Sequence, residues 1–321
     1  MDGLVRDREY MVVRADTGRF VSQRTHPNMA MIDVRLSSIE KDNNTIDNCG
    51  RLCRVTLDAP GMPQIALPMK QCRQSEQGDR SKNIVDVSVW NWKGKALEVS
   101  KEVSAWISGY LKTPAKIIRY SGGYLTMTEG VHAQNDTNND DDEHRRFVDT
   151  NWAPPGNEIA FPDGFPFLLT TQKSLDELNS KIDRAIGMER FRTNFCIGGG
   201  PDTPWQEDNW RRVKLGSRAV FDVLKPCTRC KIPSIDPNSG EEGQEPQRIL
   251  SQLRKGEIIG YNNPSSFRQS VFFGVNMTMC AQNDNNDTVV SIGDGVSIIE
   301  SVEHGEFMMR PAISTGGGTC T

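Results

Sequence analysis

Cys227 and Cys230 are the only two cysteines separated by just two residues, in the segment Lys225-Pro-Cys-Thr-Arg-Cys230. Three chemistries suit that spacing. Half of a zinc site needs two further ligands. Cys49 and Cys53 could supply them, but they lie in a distant segment, and His26, His132, His144 and His304 have no ligand spacing. A thiol–disulfide pair needs its first cysteine at a helix N-terminus, where the dipole lowers the thiol pKa. The following Lys231-Ile-Pro-Ser-Ile-Asp-Pro-Asn238 contains two prolines and is a poor helix. The third chemistry is a single soft thiolate for a transition metal or metal cofactor, with the other cysteine packed beside it. Two buried cysteines without chemistry would give the same spacing.

Arg190-Phe-Arg-Thr-Asn194 is the second candidate. In a strand over 192–197, alternation would point Arg192 and Asn194 to one face. An arginine fork beside an amide clamps phosphate or a polar heterocycle. Gly198, Gly199 and Gly200 read as a turn ending that strand. No phosphate-loop or dinucleotide fingerprint is present, and the four histidines suggest no Ser-His-Asp constellation. Asp236, close behind Cys230, would be in reach as a proton donor, though Asp236-Pro-Asn-Ser-Gly240 is already a good turn.

These residues need elements to hold them. The first third reads as short strands: 9–13 and 19–23 around a turn at Asp16-Thr-Gly18, then 29–34, 52–57, 65–69 and 84–89. Over 97–111, Val99, Val103, Trp106, Ile107 and Tyr110 follow helical spacing, and a strand over 116–120 follows. Ser174-Leu-Asp-Glu177 reads as a capping box opening a helix to about 182. Residues 212–215 and 219–224 pair around Gly216-Ser217, so the cysteines fall at a strand end. A short helix over 249–253 and strands over 270–279 and 288–299 complete the pattern. The class is β-rich α+β, favouring a barrel-like sheet over alternating βαβ units.

The chain has 321 residues and a net charge of -4. The run from Asn135 to Glu143 holds five acids and no base, and without it the remainder is nearly neutral. That excludes the basic footprint of a nucleic-acid binder. No apolar run reaches the roughly 18 residues of a membrane span. The polar N-terminus fits no signal peptide, and eight cysteines in this length are not a disulfide scaffold. An intracellular, reducing compartment follows.

Several segments in order resemble one family. They are Gly18 to Arg24 with His26-Pro27, Trp90-Asn-Trp92 with Gly94 and Ala96, 161–167, 174–179, 190–194, 210–216, 225–230 and Phe273-Gly-Val-Asn276. The set is similar to the MOSC-domain proteins, named for the C-terminal domain of molybdenum-cofactor sulfurase, and especially to the mitochondrial amidoxime-reducing components.

The resemblance implies a MOSC-type β-barrel with a smaller N-terminal β-rich domain. Its boundaries would be 1–121, a linker with an acidic loop over 122–155, the MOSC domain over 156–303 and a tail over 304–321. It implies a molybdenum cofactor (Mo-molybdopterin) ligated by Cys230, with Thr228 and Arg229 on the pterin. Arg8, Gly164, Phe165, Arg192, Asn194 and Asn276 would also contact the cofactor. Thr193 stands where the family usually has proline. The family's extra N-terminal strand with a Lys-Ser pair would precede Met1, together with any anchor. The implied activity is reduction of N-hydroxylated substrates (amidoximes, hydroxylamines). Electrons would come from cytochrome b5 and NADH-cytochrome b5 reductase, in the cytoplasm or at mitochondria. The alternative is a non-catalytic cofactor carrier, the corresponding region of a sulfurase whose other domain binds pyridoxal phosphate. A third reading is a metal-free protein that keeps only the fold.

Overall fold

The computed structural model describes residue 4 and residues 7–38, 53–68, 83–120, 145–153, 156–199, 202–261, 265–280 and 289–303. The chain divides into two compact units, one of residues 8–146 with 236–241, the other of residues 1–7, 147–235 and 242–321.

The first unit contains strands β1 (Tyr10–Arg14), β2 (Asp33–Ser38), β3 (Cys53–Asp58), β4 (Ile65–Ala66), β5 (Ile84–Val89), β6 (Trp92–Glu98) and β7 (Ala115–Arg119), with helix α1 (Lys101–Leu111) between the last two. They form a four-stranded sheet of order β1-β7-β6-β5 and a three-stranded sheet of order β2-β3-β4. Alternation builds its core: Val55 and Leu57 of β3 and Ala115 and Ile117 of β7 pack against Val103, Trp106, Ile107, Tyr110 and Leu111 of α1. The two large rings of α1 keep their polar ends satisfied. Trp106 Nε1 donates to the Pro63 carbonyl at 2.6 Å, and the Tyr110 hydroxyl to the Asn28 carbonyl at 2.8 Å. Gly18 is required: at φ +63°, a Cβ would sit 1.9 Å from the Asp86 carbonyl oxygen.

The second unit contains β8 (Phe167–Thr171), α2 (Gln172–Asn179), β9 (Phe195–Ile197), β10 (Trp210–Leu215), β11 (Ala219–Arg229), α3 (Gln247–Leu253), α4 (Gly256–Ile259), β12 (Val271–Met279) and β13 (Val296–Ser301). Its six-stranded sheet has the order β13-β10-β11-β12-β8-β9. All pairings are antiparallel except β8 with β9, whose crossover carries α2. Leu169, Val213, Phe272, Val275 and Met277 are fully buried on this sheet. Each large apolar side chain buried this way contributes about 1.5–3 kcal/mol. Gly274, at φ +71°, lets β12 pass β8; a Cβ there would lie 2.7 Å from the Leu169 carbonyl oxygen.

The β-rich class with few helices holds, and several expected boundaries change. Residues expected as a strand from 29 begin instead as a 3-10 helix, Pro27–Met31, with β2 starting only at Asp33. Proline presets the turn, and Met29 and Ile32 donate to the carbonyls three residues back. The hairpin after Asp16 pairs through single bridges, Val13 with Phe20 and Arg19 with Ser88, instead of a strand over 19–23. The helix expected from 97 starts at Lys101, because Leu97 and Glu98 belong to β6 and the Ser100 hydroxyl accepts the Val103 amide. The cap of α2 is Thr171, which accepts from the Ser174 amide, and α2 stops at Asn179, short of 182. The last strand covers only Val296–Ser301. The acidic run, the Asn-Asp-rich 281–287 and the tail from 304 lie outside the described residues. Among those described, no helix is long and apolar enough to cross a membrane.

Candidate functional site

The cysteine motif lies at the end of β11, held between β10 and β12. Pro226 cannot donate to the ladder, and the register with β12 shifts between Pro226 and Thr228. Thr228 is exposed, while Cys227, Arg229 and Cys230 are half-buried. Cys230 is the first residue past the strand, ahead of a 3-10 turn, Ile232–Ser234. A bridge between Ile235 and Glu242 and an ion pair between Lys231 and Glu242 at 2.7 Å close this segment. Both cysteines are free thiols. Cys227 reaches only the carbonyl of Thr228, at 3.6 Å.

The geometry bears on the motif's readings. Cys227 lies inside a strand, and the segment after Cys230 is a three-residue 3-10 turn, not the helix that a thiol–disulfide pair needs. Among the described residues no group of three His, Cys, Asp or Glu side chains is placed to hold a metal ion.

Arg229 fixes the strand end. Its Nε donates to the Phe273 carbonyl at 2.9 Å and its Nη1 to the Phe191 carbonyl at 3.1 Å. The guanidinium lies 5.4 Å from the Phe191 ring centroid, and Phe191 stacks on Phe273 at 3.8 Å. Its Nη2 is buried with no acceptor, and such an orphan donor is costly unless a further group accepts from it. A soft thiol, an exposed hydroxyl at Thr228 and an unmatched guanidinium N–H fit the donor set that the implied molybdenum cofactor needs.

The expected pairing of Arg192 and Asn194 on one strand face does not form. Met188–Phe191 is a 3-10 turn, Arg192 follows in the left-handed region at φ 55°, and β9 begins at Phe195. Two-residue alternation therefore does not apply to Arg192. Asn194 extends the edge of β8: Oδ1 accepts the Leu168 amide at 2.9 Å, and its own amide donates to the Leu168 carbonyl at 2.9 Å. Its Nδ2 donates to Asp7 at 3.0 Å. The single Thr193 hydroxyl proton is shared between the carbonyls of Leu168 at 3.0 Å and Phe195 at 2.9 Å, a donor that a proline there would lack.

The remaining candidates spread along the same sheet and beyond it. Asn276 of β12 lies opposite Leu168 on one side and Lys225 on the other. Phe165 packs near Lys225, and a Cβ at Gly164 would meet open space. Arg8, at φ 49°, belongs to the other compact unit. The expected turn at Asp236 forms, with its carboxylate accepting the Asn238 amide at 2.8 Å.

Two features escaped the sequence. Lys225 holds its ammonium 4.9 Å from the Phe267 ring centroid and 5.4 Å from those of Trp152 and Phe165. Burial pushes its pKa down, against the pull of Cys227 and Asp149. The cage residues are scattered from 152 to 267, and only the lysine's place ahead of Pro226 hinted at it. The second feature is a buried acid pair. Glu207 accepts from Ser174 Oγ at 2.9 Å, and burial followed by the adjacent Asp208 pushes its carboxyl up to about 7. Asp208 is ion-paired with buried Arg254.

Residues 1–114 match the family described as MOSC N-terminal beta barrel domain, and residues 156–297 match the MOSC domain. Among curated relatives, "Mitochondrial amidoxime reducing component 2" of Rattus norvegicus is 27% identical over 275 residues, covering 85% of this chain and 69% of that protein. Its Homo sapiens counterpart is 26% identical over 274 residues, with the same shares covered. "Molybdenum cofactor sulfurase" of Neosartorya fischeri is 25% identical over 335 residues, covering 92% of this chain and 37% of that protein.

Proposed function

Because the chain belongs to the MOSC-domain proteins, we propose that it is a molybdenum-cofactor oxidoreductase that reduces N-hydroxylated compounds. The observation that carries this reading is the placement of Cys230: a free, half-buried thiol just past a strand whose end Arg229 locks by two carbonyls. When bound, the cofactor supplies two-electron redox chemistry at its metal. The protein's residues do the rest. Cys230 presents the metal-ligating thiolate. Arg229 keeps that thiolate in register and offers Nη2 to an acceptor on the pterin. Thr228 adds a hydroxyl, and Gly164 leaves room beside Phe165 for a ring to approach. Arg192, Asn194 and Asn276 complete the proposed contacts, Asn194 through the β8 edge that it holds.

The overall change is R–NHOH + 2e⁻ + 2H⁺ → R–NH₂ + H₂O. The chain carries no flavin or dinucleotide fingerprint, so the electrons come from a partner. A cytochrome b5 with its NADH-dependent reductase suits that need. The relatives' names suggest mitochondria as the compartment. The second reading is a cofactor carrier, drawn from the sulfurase match over 92% of the chain.

The test is expression in a host that makes the cofactor, with molybdenum measured per protein. The expected result is near-stoichiometric metal in the wild type, loss in Cys230→Ala and retention in Cys227→Ala. Metal kept by Cys230→Ala would refute the ligand. Benzamidoxime reduction with added cytochrome b5 and reductase separates enzyme from carrier, which would load metal and stay inactive.

A further inference from the structure

Trp205 precedes the 3-10 turn Gln206–Asn209 at φ 65°, in the left-handed region. That region is an outlier for so bulky a side chain, and glycine or asparagine would fill it at lower cost. Strain of this kind collects where the surrounding structure holds it for a function. The holding contacts are explicit. The Trp205 amide donates to Ser174 Oγ at 2.8 Å, and Ser174 Oγ donates to Glu207 Oε2 at 2.9 Å. The guanidinium of Arg254, buried and ion-paired with Asp208, lies 4.6 Å from the Trp205 ring centroid.

From that ring a row of contacts runs to the cysteine motif. Trp205 meets Phe273 edge-to-face, with centroids 5.7 Å apart and planes at 83°. Phe273 stacks on Phe191 at 3.8 Å and 14°, and both residues are fully buried. The Arg229 guanidinium lies 5.4 Å from the Phe191 centroid and 6.0 Å from that of Phe273. The same two residues supply the carbonyls that receive Arg229 Nε and Nη1. The far end of the row is strained as well: Arg192, directly after Phe191, has φ 55°. All these residues belong to one compact unit. Close-packed interiors transmit displacement instead of absorbing it. A shift of the Trp205 ring therefore reaches both acceptors of Arg229, the residue before Cys230.

We infer that Trp205 is a positioning residue for the cysteine motif: through Phe273 and Phe191 it sets where Arg229, and hence Cys230, stands. The strained backbone serves this task. It fixes the direction in which the ring leaves the chain, and a residue of ordinary φ there would aim it elsewhere. That Cys230 is the molybdenum ligand rests on the reading above; the mechanical link from Trp205 to Cys230 does not.

The experiment treats the full, cofactor-free chain with iodoacetamide at one pH and follows alkylation of Cys230 by peptide mass. Trp205→Gly and Trp205→Asn both accept the positive φ and remove the ring; Trp205→Phe keeps a ring. Cys230 should react about fivefold faster or more in the two ring-less variants, and within about twofold of wild type in Trp205→Phe. Leu250→Ala truncates the same buried cluster without removing a ring. It should lower the melting temperature and leave the Cys230 rate at wild type. In a host that makes the cofactor, molybdenum kept through dialysis should fall about tenfold in the ring-less variants and hold in Trp205→Phe. Wild-type Cys230 rates without the ring, a Trp205→Phe rate equal to theirs, or the same acceleration in Leu250→Ala overturns the positioning role. Loss of a cooperative melt in both ring-less variants overturns it too, because the ring would then be structural. A wild type without molybdenum, with alkylation as expected, refutes the cofactor reading and supports the row of rings.

Discussion

Arg229 Nε donates to the Phe273 carbonyl at 2.9 Å, tying the end of β11 across its ladder to β12. Nη1 adds the Phe191 carbonyl, so one rigid fork holds the last residue before Cys230 against two elements. Lysine has the charge but not the fork. Arg229→Lys is expected to leave at least one of the two carbonyls unmatched and to cost about 1–3 kcal/mol in chemical denaturation. Molybdenum per protein should fall as well, although Cys230 is untouched. Normal stability with normal metal content would show that the fork is dispensable.

Asn194 lends itself to a charge test. Asn194→Asp keeps an acceptor for the Leu168 amide but replaces the donor facing Asp7 with a second carboxylate. Like charges at that distance disfavour joint ionisation. Denaturation should show a loss of about 1–3 kcal/mol at pH 7.5, shrinking as pH falls into the carboxylate range and one group takes up a proton. A pH-independent loss would mean that the amide acts through packing alone.

The two sites differ in how well the sequence announces them. Alternation in β11 and β12 and the turn at Gly216 are local signals, so the position of Cys230 at a strand end was legible. Arg192 was not placed correctly, because a 3-10 turn and a left-handed residue interrupt the two-residue period and nothing in Arg190 to Asn194 marks them. Thr171 was passed over for Ser174 because both are capping types, and only β8 decides which one precedes the helix. The Lys225 cage and the Glu207 cluster depend on residues far apart in sequence, which no local pattern exposes.

Lys225 gives a prediction of sign. Its folded pKa lies below its ordinary value, chiefly through burial. The charged form is therefore disfavoured by folding even with three rings around it. That cost is present at neutral pH, and stability recovers as pH rises through the folded value toward about 10.4. Lys225→Met keeps the stem and drops the charge. Its melting temperature should equal or exceed wild type at pH 7, and the gap should close toward pH 10. A clearly lower melting temperature at pH 7 would show that the cation–π contacts, about 0.5–2 kcal/mol each at most, outweigh burial.

Glu207 is fully buried, with Ser174 Oγ at 2.9 Å and Thr171 Oγ1 at 3.1 Å on Oε2, while Oε1 has no donor. Its pKa is raised to about 7 by burial and then by Asp208. Between its unfolded value, near 4.3, and about 7 the folded chain holds a proton that the unfolded chain has released. This group therefore contributes a stability that declines as pH climbs through that window and is fully lost above it. Glu207→Gln stays neutral at every pH and can still accept from both hydroxyls. Relative to wild type it should gain stability steadily from pH 5 to pH 8, ending ahead by a few kcal/mol, on the order of one to three. Parallel stability curves for the two proteins would locate the titration elsewhere, with the Asp208–Arg254 pair the first place to look.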